Sequence, residues 1–405
     1  MTEILTTTAG SLPRTPELLA ANAARPVAED GLTPLPSAEF DAALAAAVES
    51  VVARQKQIGI TVPGDGEYGK SMTSTYNYGA WWSYIFHRTA GLEIVEGDTF
   101  FAEPPTADNA EGLTLTSFGN RRDRQRFPDV YASDVEVNKA TPEAGALVFP
   151  VASGALSYTG GELIASDVSN FSRALSAQGI EQGFLTSLSP GSGARIQDRH
   201  YGSEDAFLEA WAEALKVEYK AITDAGLIVQ IDDPSIAENF DQISPEPSIE
   251  DYLRFTAKRV EALNHALEGL PKEQLRFHLC WGSWHGPHVT DIEFRHLVRL
   301  MLDIDVTYYS FEGANARHEH EYVVWDEVTL PDDKIIVPGV VGHSTNVVEH
   351  PELVAQRISR YAERVGAERV IASTDCGLGG RIHPDIAWAK LESLAEGARI
   401  ASQRL

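Results

Sequence analysis

Cysteine is scarce: the chain carries 2 in 405 residues. Two thiols cannot build a disulfide framework, and so low a count fits a reducing cytosol. Long apolar runs are missing as well. No stretch reaches the roughly 18 apolar residues that a membrane-spanning helix needs. The opening Met1-Thr-Glu-Ile-Leu5 lacks the basic start and apolar core of a secretory leader. Positive charge is in short supply. Against 59 Asp and Glu stand 33 Lys and Arg, for a formal net charge of −26. A surface this acidic repels phosphate backbones and anionic lipid, which argues against nucleic-acid and membrane partners. The apolar fraction, 43%, is that of an ordinary globular protein and excludes wholesale disorder. The expectation is a cytoplasmic globular protein, either an enzyme or a small-molecule binder.

Short apolar runs alternate with helical patterns. Strands are expected at Ile4–Ser11, Ile60–Glu67, Gln182–Ser189, Leu227–Asp232, Arg276–Trp281, Val306–Glu312, Ile335–Val340 and Val370–Asp375. Helices are expected at Ala42–Gln57, Asp205–Ala225, Ile249–Leu267, Asp291–Leu302, Pro351–Val365 and Ile386–Ser402. This alternation implies parallel βαβ units of the α/β class. Eight strands in this length predict a single (β/α)8 TIM-type barrel spanning residues 1–405. A doubly wound open sheet is the rival, but no GxGxxG follows the first strand. The unusual residues also favour the barrel. Gly10-Ser11, Glu67, Asp232-Asp233, His278, Cys280, Glu312 and Asp375-Cys376 fall at the C-terminal ends of strands, where barrel enzymes place their chemistry.

Residues 71–153 break the pattern and read as a long insertion after strand two. It is rich in aromatics (Tyr76, Tyr78, Trp81, Trp82, Tyr84, Phe86, Phe100, Phe101) and holds the cluster Arg121–Arg126. A catalytic lid, a homodimer contact and a plain packing extension are all compatible with it.

Phe277-His278-Leu-Cys280-Trp281 is the sharpest chemical signal. Residues i and i+2 of a strand share a face, so His278 and Cys280 converge, and imidazole with thiolate suits zinc. Alone, the pair reads rather as a buried cysteine beside a satisfied histidine. The second cysteine shifts that balance. Cys376 ends the last strand, and in a closed barrel it shares one mouth with Cys280, with Glu312 available as an oxygen ligand. Of Asp232 and Asp233 only one can face the axis, where it would suit an amino group; Asp233 also reads as a helix cap. Glu67 is an acid at a strand end, and without a partner it would be an ordinary loop residue. His343, just past strand seven, has the chemistry of a general acid. His318-Glu-His320-Glu321 reads as a solvated helix start, because alternate helical residues do not share a face.

Taken together, the motifs resemble the catalytic C-terminal barrel of the cobalamin-independent methionine synthase family and the related epoxyalkane:coenzyme M transferase. The matching segments are Gly10-Ser11-Leu-Pro-Arg14, Asp65-Gly-Glu67, Gln230-Ile-Asp-Asp-Pro234, His278-x-Cys280, Glu312, Pro338-Gly-Val-Val-Gly-His343-Ser and Asp375-Cys376-Gly. The resemblance implies a zinc cofactor held by His278, Cys280, Cys376 and the more variable Glu312. It implies a thiol acceptor held by Gly10, Ser11, Glu67 and Asp232, and His343 as the proton donor to the leaving group. The implied reaction is zinc-dependent transfer of a methyl or other alkyl group to homocysteine or a similar amino-acid thiol, through a zinc-bound thiolate. The alternatives are epoxide opening by zinc-activated coenzyme M, another zinc lyase or hydrolase on the same barrel, or a non-catalytic member with structural zinc. Folate is a doubtful donor, since no second barrel is expected and Leu188-Ser-Pro-Gly-Ser192 has no Trp beside it to stack on a pterin. A corrinoid protein or a small molecule stands in its place. A sulfonated thiol would call on Arg14, Lys70 or Arg381.

Overall fold

The computed structural model describes residues 2–70, 80–97, 99, 102–105, 112–132 and 149–405. Seven parallel strands form one curled sheet. They are β1 (Leu5–Thr6), β4 (Phe184–Leu188), β5 (Ile228–Asp232), β6 (Leu275–Leu279), β7 (Tyr308–Phe311), β8 (Ile335–Val341) and β9 (Ile371–Thr374), in the order β1-β9-β8-β7-β6-β5-β4. The expected second strand closes the ring between β1 and β4, but only by single parallel bridges, Thr7 to Val62 and Gly64 to Phe184. Pro63 between them has no N–H to give to a ladder, which keeps this segment from counting as a full strand. Its carbonyl still accepts from Phe184 N at 3.0 Å. The result is the expected (β/α)8 barrel.

The pleat sorts the side chains. On β5, Gln230 and Asp232 turn to the axis; the Gln230 Nε2 donates to Ala9 O at 3.1 Å and to Asp232 at 2.7 Å. The alternate residues Ile231, Phe277 and Leu279 are wholly buried, each contributing about 1.5–3 kcal/mol by removal from water. Deep in the barrel lies Arg276, 3% exposed. It donates to Thr7 Oγ1 at 3.0 Å and Thr8 O at 3.2 Å, and its guanidinium lies 3.7 Å from the centre of the Phe184 ring. No carboxylate among the described residues pairs with it, and burial pushes it down to about 9.

Helices fill the outer layer. Ile249–Leu267 and Pro351–Val365 have the bounds the periodicity predicts. Ser248 caps the first, accepting from Asp251 N at 3.1 Å, with Glu250 and Asp251 favourably placed against the helix dipole. Sequence reading overlooks the helix Gly161–Gln178. Its Ser and Asn residues are weak helix formers, and Ile164, Phe171, Ala174 and Leu175 alone supply its buried face.

In the insertion, β2 (Thr89–Ile94) pairs antiparallel with β3 (Pro150–Tyr158). Trp82 packs on Phe86 and Phe149, with ring centres 5.3 and 5.1 Å away. Buried ion pairs tie this part to the barrel. Arg88 reaches Asp167 at 2.7 Å and Glu218 at 3.3 Å. Arg121 reaches Glu238 at 3.0 Å and Asp241 at 2.5 Å. Tyr76, Tyr78, Phe100 and Phe101 lie outside the described residues. No helix among the described residues is long and apolar enough to cross a membrane.

Candidate active site

His278, on β6, and Cys280 and Cys376, just past β6 and β9, converge at the C-terminal mouth. Their ligand atoms all lie within 4.8 Å of one another. His278 is buried, and its Nδ1 lies 3.0 Å from Ser310 Oγ. Its Nε2 is buried without a hydrogen-bond partner. One imidazole nitrogen and two sulfurs fit zinc, and the unpartnered nitrogen is what a ligand to such an ion requires. The electrostatics of the two thiols diverge. The Cys280 thiol beside it holds Cys376 well below the usual thiol range, against burial, while Cys376 and burial push Cys280 up. Burial works against a charge on His278, but Cys376 and Asp232 raise it above the usual imidazole value.

A pocket opens beside this cluster. Its walls include Ser11, Glu67, Trp81, Asp232, Arg381 and all three cluster residues. Glu67 accepts from Thr186 Oγ1 at 2.7 Å, and Lys70 Nζ stands 3.4 Å from the same oxygen. The other carboxylate oxygen, Oε2, is buried without a partner. Burial pushes Asp232 up to about 7, with His278 and Lys70 opposing and Glu67 reinforcing the rise. Asp233 faces the other way. It accepts from Ser235 N and Ser192 Oγ, both at 3.1 Å, in the capping role open to it from the sequence. Gly10 lets the chain pass close to Glu67, since a Cβ there would come within 3.1 Å of Glu67 Oε1 at a φ of +135°. A Cβ on Gly377 would lie 2.2 Å from Ser11 Oγ, so these two loops also need a bare glycine to meet.

Glu312 and His343 form a separate group with Asp375, also within 4.8 Å. Glu312 Oε1 accepts from Trp281 N at 2.9 Å, and Asn315 Nδ2 donates to Oε2. Burial, with Asp375 adding to it, pushes Glu312 up to about 8. Asp375 Oδ1 accepts from Gly313 N and Ala314 N, each at 2.8 Å, which fixes the loop carrying Glu312. His343 Nδ1 is buried without a hydrogen-bond partner, and burial pushes the ring down to about 4. His343 and Glu312 line a second depression with Trp284, His288 and Arg317; Gly282 borders both pockets.

Several residues escape sequence reading. Ser283 reaches the first pocket from a loop that no periodicity marks, while Trp81 from the insertion and Arg381, one of the three cations named from the sequence, also line it. His318 and Glu321 are not solvated, as expected, but buried. His318 bridges Glu321 at 2.6 Å and Asp291 at 3.1 Å and stacks on Trp281 at 4.0 Å. They sit at the start of a 3-10 helix, where residues three apart share a side; His320 is exposed, as alternation requires. Sequence reading takes the phosphate-cradling pattern GxxxxGK[ST] to be absent, yet Gly64-Asp-Gly-Glu-Tyr-Gly-Lys-Ser71 spells it. This loop turns the carboxylates of Asp65 and Glu67 inward, and Lys70 is engaged by Glu67 and Thr186. A phosphate cradle needs bare N–H groups there instead.

Residues 169–399 match the family profile described as the catalytic domain of cobalamin-independent synthase. A 2-hydroxypropyl-CoM lyase of Xanthobacter autotrophicus is 25% identical over 381 residues, covering 83% of this chain and 95% of that protein. A methionine synthase of Thermococcus kodakarensis is 26% identical over 51% of this chain and 54% of its own length. The match thus spans about half of that relative. In three dimensions, a B12-independent methionine synthase from Shewanella sp. W3-18-1, in complex with selenomethionine, superimposes with a TM-score of 0.67. It shares 18% identity and covers 100% of this chain and 99% of its own, a likeness of fold.

Proposed function

The chain belongs to the cobalamin-independent methionine synthase family, and from that premise we propose that it transfers a methyl or other alkyl group to an amino-acid thiol such as homocysteine. One observation carries the reading: the unpartnered Glu67 Oε2, buried in a pocket that Asp232, His278, Cys280 and Cys376 also line. A buried carboxylate oxygen without a donor costs about 1–3 kcal/mol, which a substrate ammonium would offset.

His278, Cys280 and Cys376 would hold the zinc, with Glu312 as an exchangeable fourth ligand. A zinc ion held by these residues would supply Lewis acidity that lets an incoming thiol ionise at neutral pH. Ser310 fixes the His278 ring so that Nε2 faces the sulfurs. Glu67 and Asp232 hold the ammonium, and Ser11 closes the pocket beside them. The alkyl donor enters from the neighbouring depression, against His343. Burial keeps His343 neutral in the free protein. Its unpartnered Nδ1 can relay a proton to the leaving atom as the carbon moves to sulfur, as a strong acid that does not keep the proton at rest. The insertion covers this face: Trp81 walls the pocket, and Arg121 lies 3.7 Å from the centre of the Trp284 ring.

A second reading, opening of an epoxide by coenzyme M, is favoured by the match to 95% of the lyase. It leaves the unpartnered Glu67 Oε2 without a donor from the substrate. The experiment is zinc content with X-ray absorption at the metal edge as homocysteine, coenzyme M and glutathione are added in turn. About one zinc per chain, gaining a sulfur ligand from homocysteine, supports the proposal. Zinc that no thiol perturbs overturns it.

A further inference from the structure

We propose that the barrel carries a second binding site at its N-terminal end, where a small monocarboxylate with an apolar tail sets its acid group against Arg276. This site stands apart from the thiol-transfer reading and does not depend on it.

A cavity of about 300 Å³ opens where the strands begin. It shares no lining residue with the pocket or the depression at the C-terminal mouth. Barrel interiors are ordinarily filled by layers of branched side chains. Here Val62, Ile228, Val337 and Ile371 wall an open space instead. At about 30 Å³ for each water, that space takes roughly ten non-hydrogen atoms.

Arg276 is the one cation among the described residues of this wall. It is buried, and the oxygens it donates to, Thr7 Oγ1 and Thr8 O, are both neutral. Its Nε is buried without a partner, and no carboxylate among the described residues forms an ion pair with the guanidinium. Buried charges are ordinarily paired, because leaving water without a counter-charge is costly. An anion in the cavity supplies the missing charge and the missing acceptor together. A carboxylate suits the planar guanidinium fork, and the aliphatic walls suit a hydrocarbon tail. Glu3 and Glu368 stand exposed at the opening. A second acid group at the far end of the ligand would meet them, so the site favours a monoacid.

The test is calorimetric binding of octanoate, hexanoate, octan-1-ol and octanedioate to the full chain. Octanoate should saturate one site per chain and bind at least tenfold more tightly than octan-1-ol, which lacks the charge, and than octanedioate. Hexanoate, two methylenes shorter, should bind roughly 15-fold more weakly than octanoate. Arg276→Met keeps the length of the side chain without its charge and should weaken octanoate at least tenfold. Ile371→Trp fills the cavity from half-buried Ile371 on β9 and leaves Arg276 in place. It should weaken octanoate as much, and it decides the case should Arg276→Met fail to fold. No saturable binding of octanoate, or equal binding of octanoate and octan-1-ol, would overturn the proposal. Unchanged octanoate affinity in Ile371→Trp would overturn it as well, since the acid would then be bound elsewhere.

Discussion

Replacing Ser310 by Ala tests the metal centre without touching a ligand. Ser310 is 1% exposed, and its Oγ lies 3.0 Å from His278 Nδ1. That contact orients the ring, and Nε2 is left without a hydrogen-bond partner. The alanine removes one oxygen from a buried site. The fold should lose only about 1 kcal/mol, the net worth of one hydrogen bond. The metal should lose more. Partners that orient a ligating histidine are worth roughly 10–100-fold in affinity, or about 1.4–2.8 kcal/mol. The assay is competition for zinc against a chelator of known affinity, with thermal unfolding of the same samples as the control for stability. A weakened zinc constant with a nearly unchanged melting temperature is the expected pair of results. An unchanged zinc constant would refute the reasoning, because a ring with no fixed partner would then bind metal as well as an oriented one.

Cys280→Ser and Cys376→Ser should each lose zinc, measured as metal per chain after dialysis; normal zinc in either variant would sink that ligand assignment. His343→Gln should keep zinc and thiol binding while slowing single-turnover transfer roughly 10²–10⁴-fold, with unchanged rates counting against a proton-transfer role. Asp65 predicts a pH effect on stability. Burial, with Asp167 reinforcing it, pushes its carboxyl up to about 7, so the folded chain holds this proton more tightly than the unfolded one. Its contribution therefore falls as pH rises from about 4 to 7. Asp65→Asn, which keeps an acceptor for Glu67 N, should flatten that part of the stability profile in denaturant titrations at several pH values.

What the sequence disclosed followed from short-range geometry. Alternation along β6 placed His278 and Cys280 on one face, and alternation along β5 separated Asp232 from Asp233. Barrel closure then brought Cys376 to the same mouth from about a hundred residues downstream. Where periodicity failed, the reading failed with it. Pro63 stripped the second strand to two bridges. The Ser-rich helix Gly161–Gln178 carried too little apolar signal. His318 and Glu321 looked exposed because the helix there winds three residues to the turn. Ser283 lies on a connecting segment whose course depends on everything packed beneath it, and no local pattern assigns such a residue to a pocket.

Arg276 sets the depth to which the barrel admits charge. Arg276 lies two residues before His278 on β6, and no carboxylate among the described residues forms an ion pair with it, although Asp232 acts on it from a distance. A positively charged group entering the mouth is drawn inward by Glu67 and Asp232, then repelled from below. A positive charge fixed at that depth opposes any cation that would move below the level of Glu67 and Asp232.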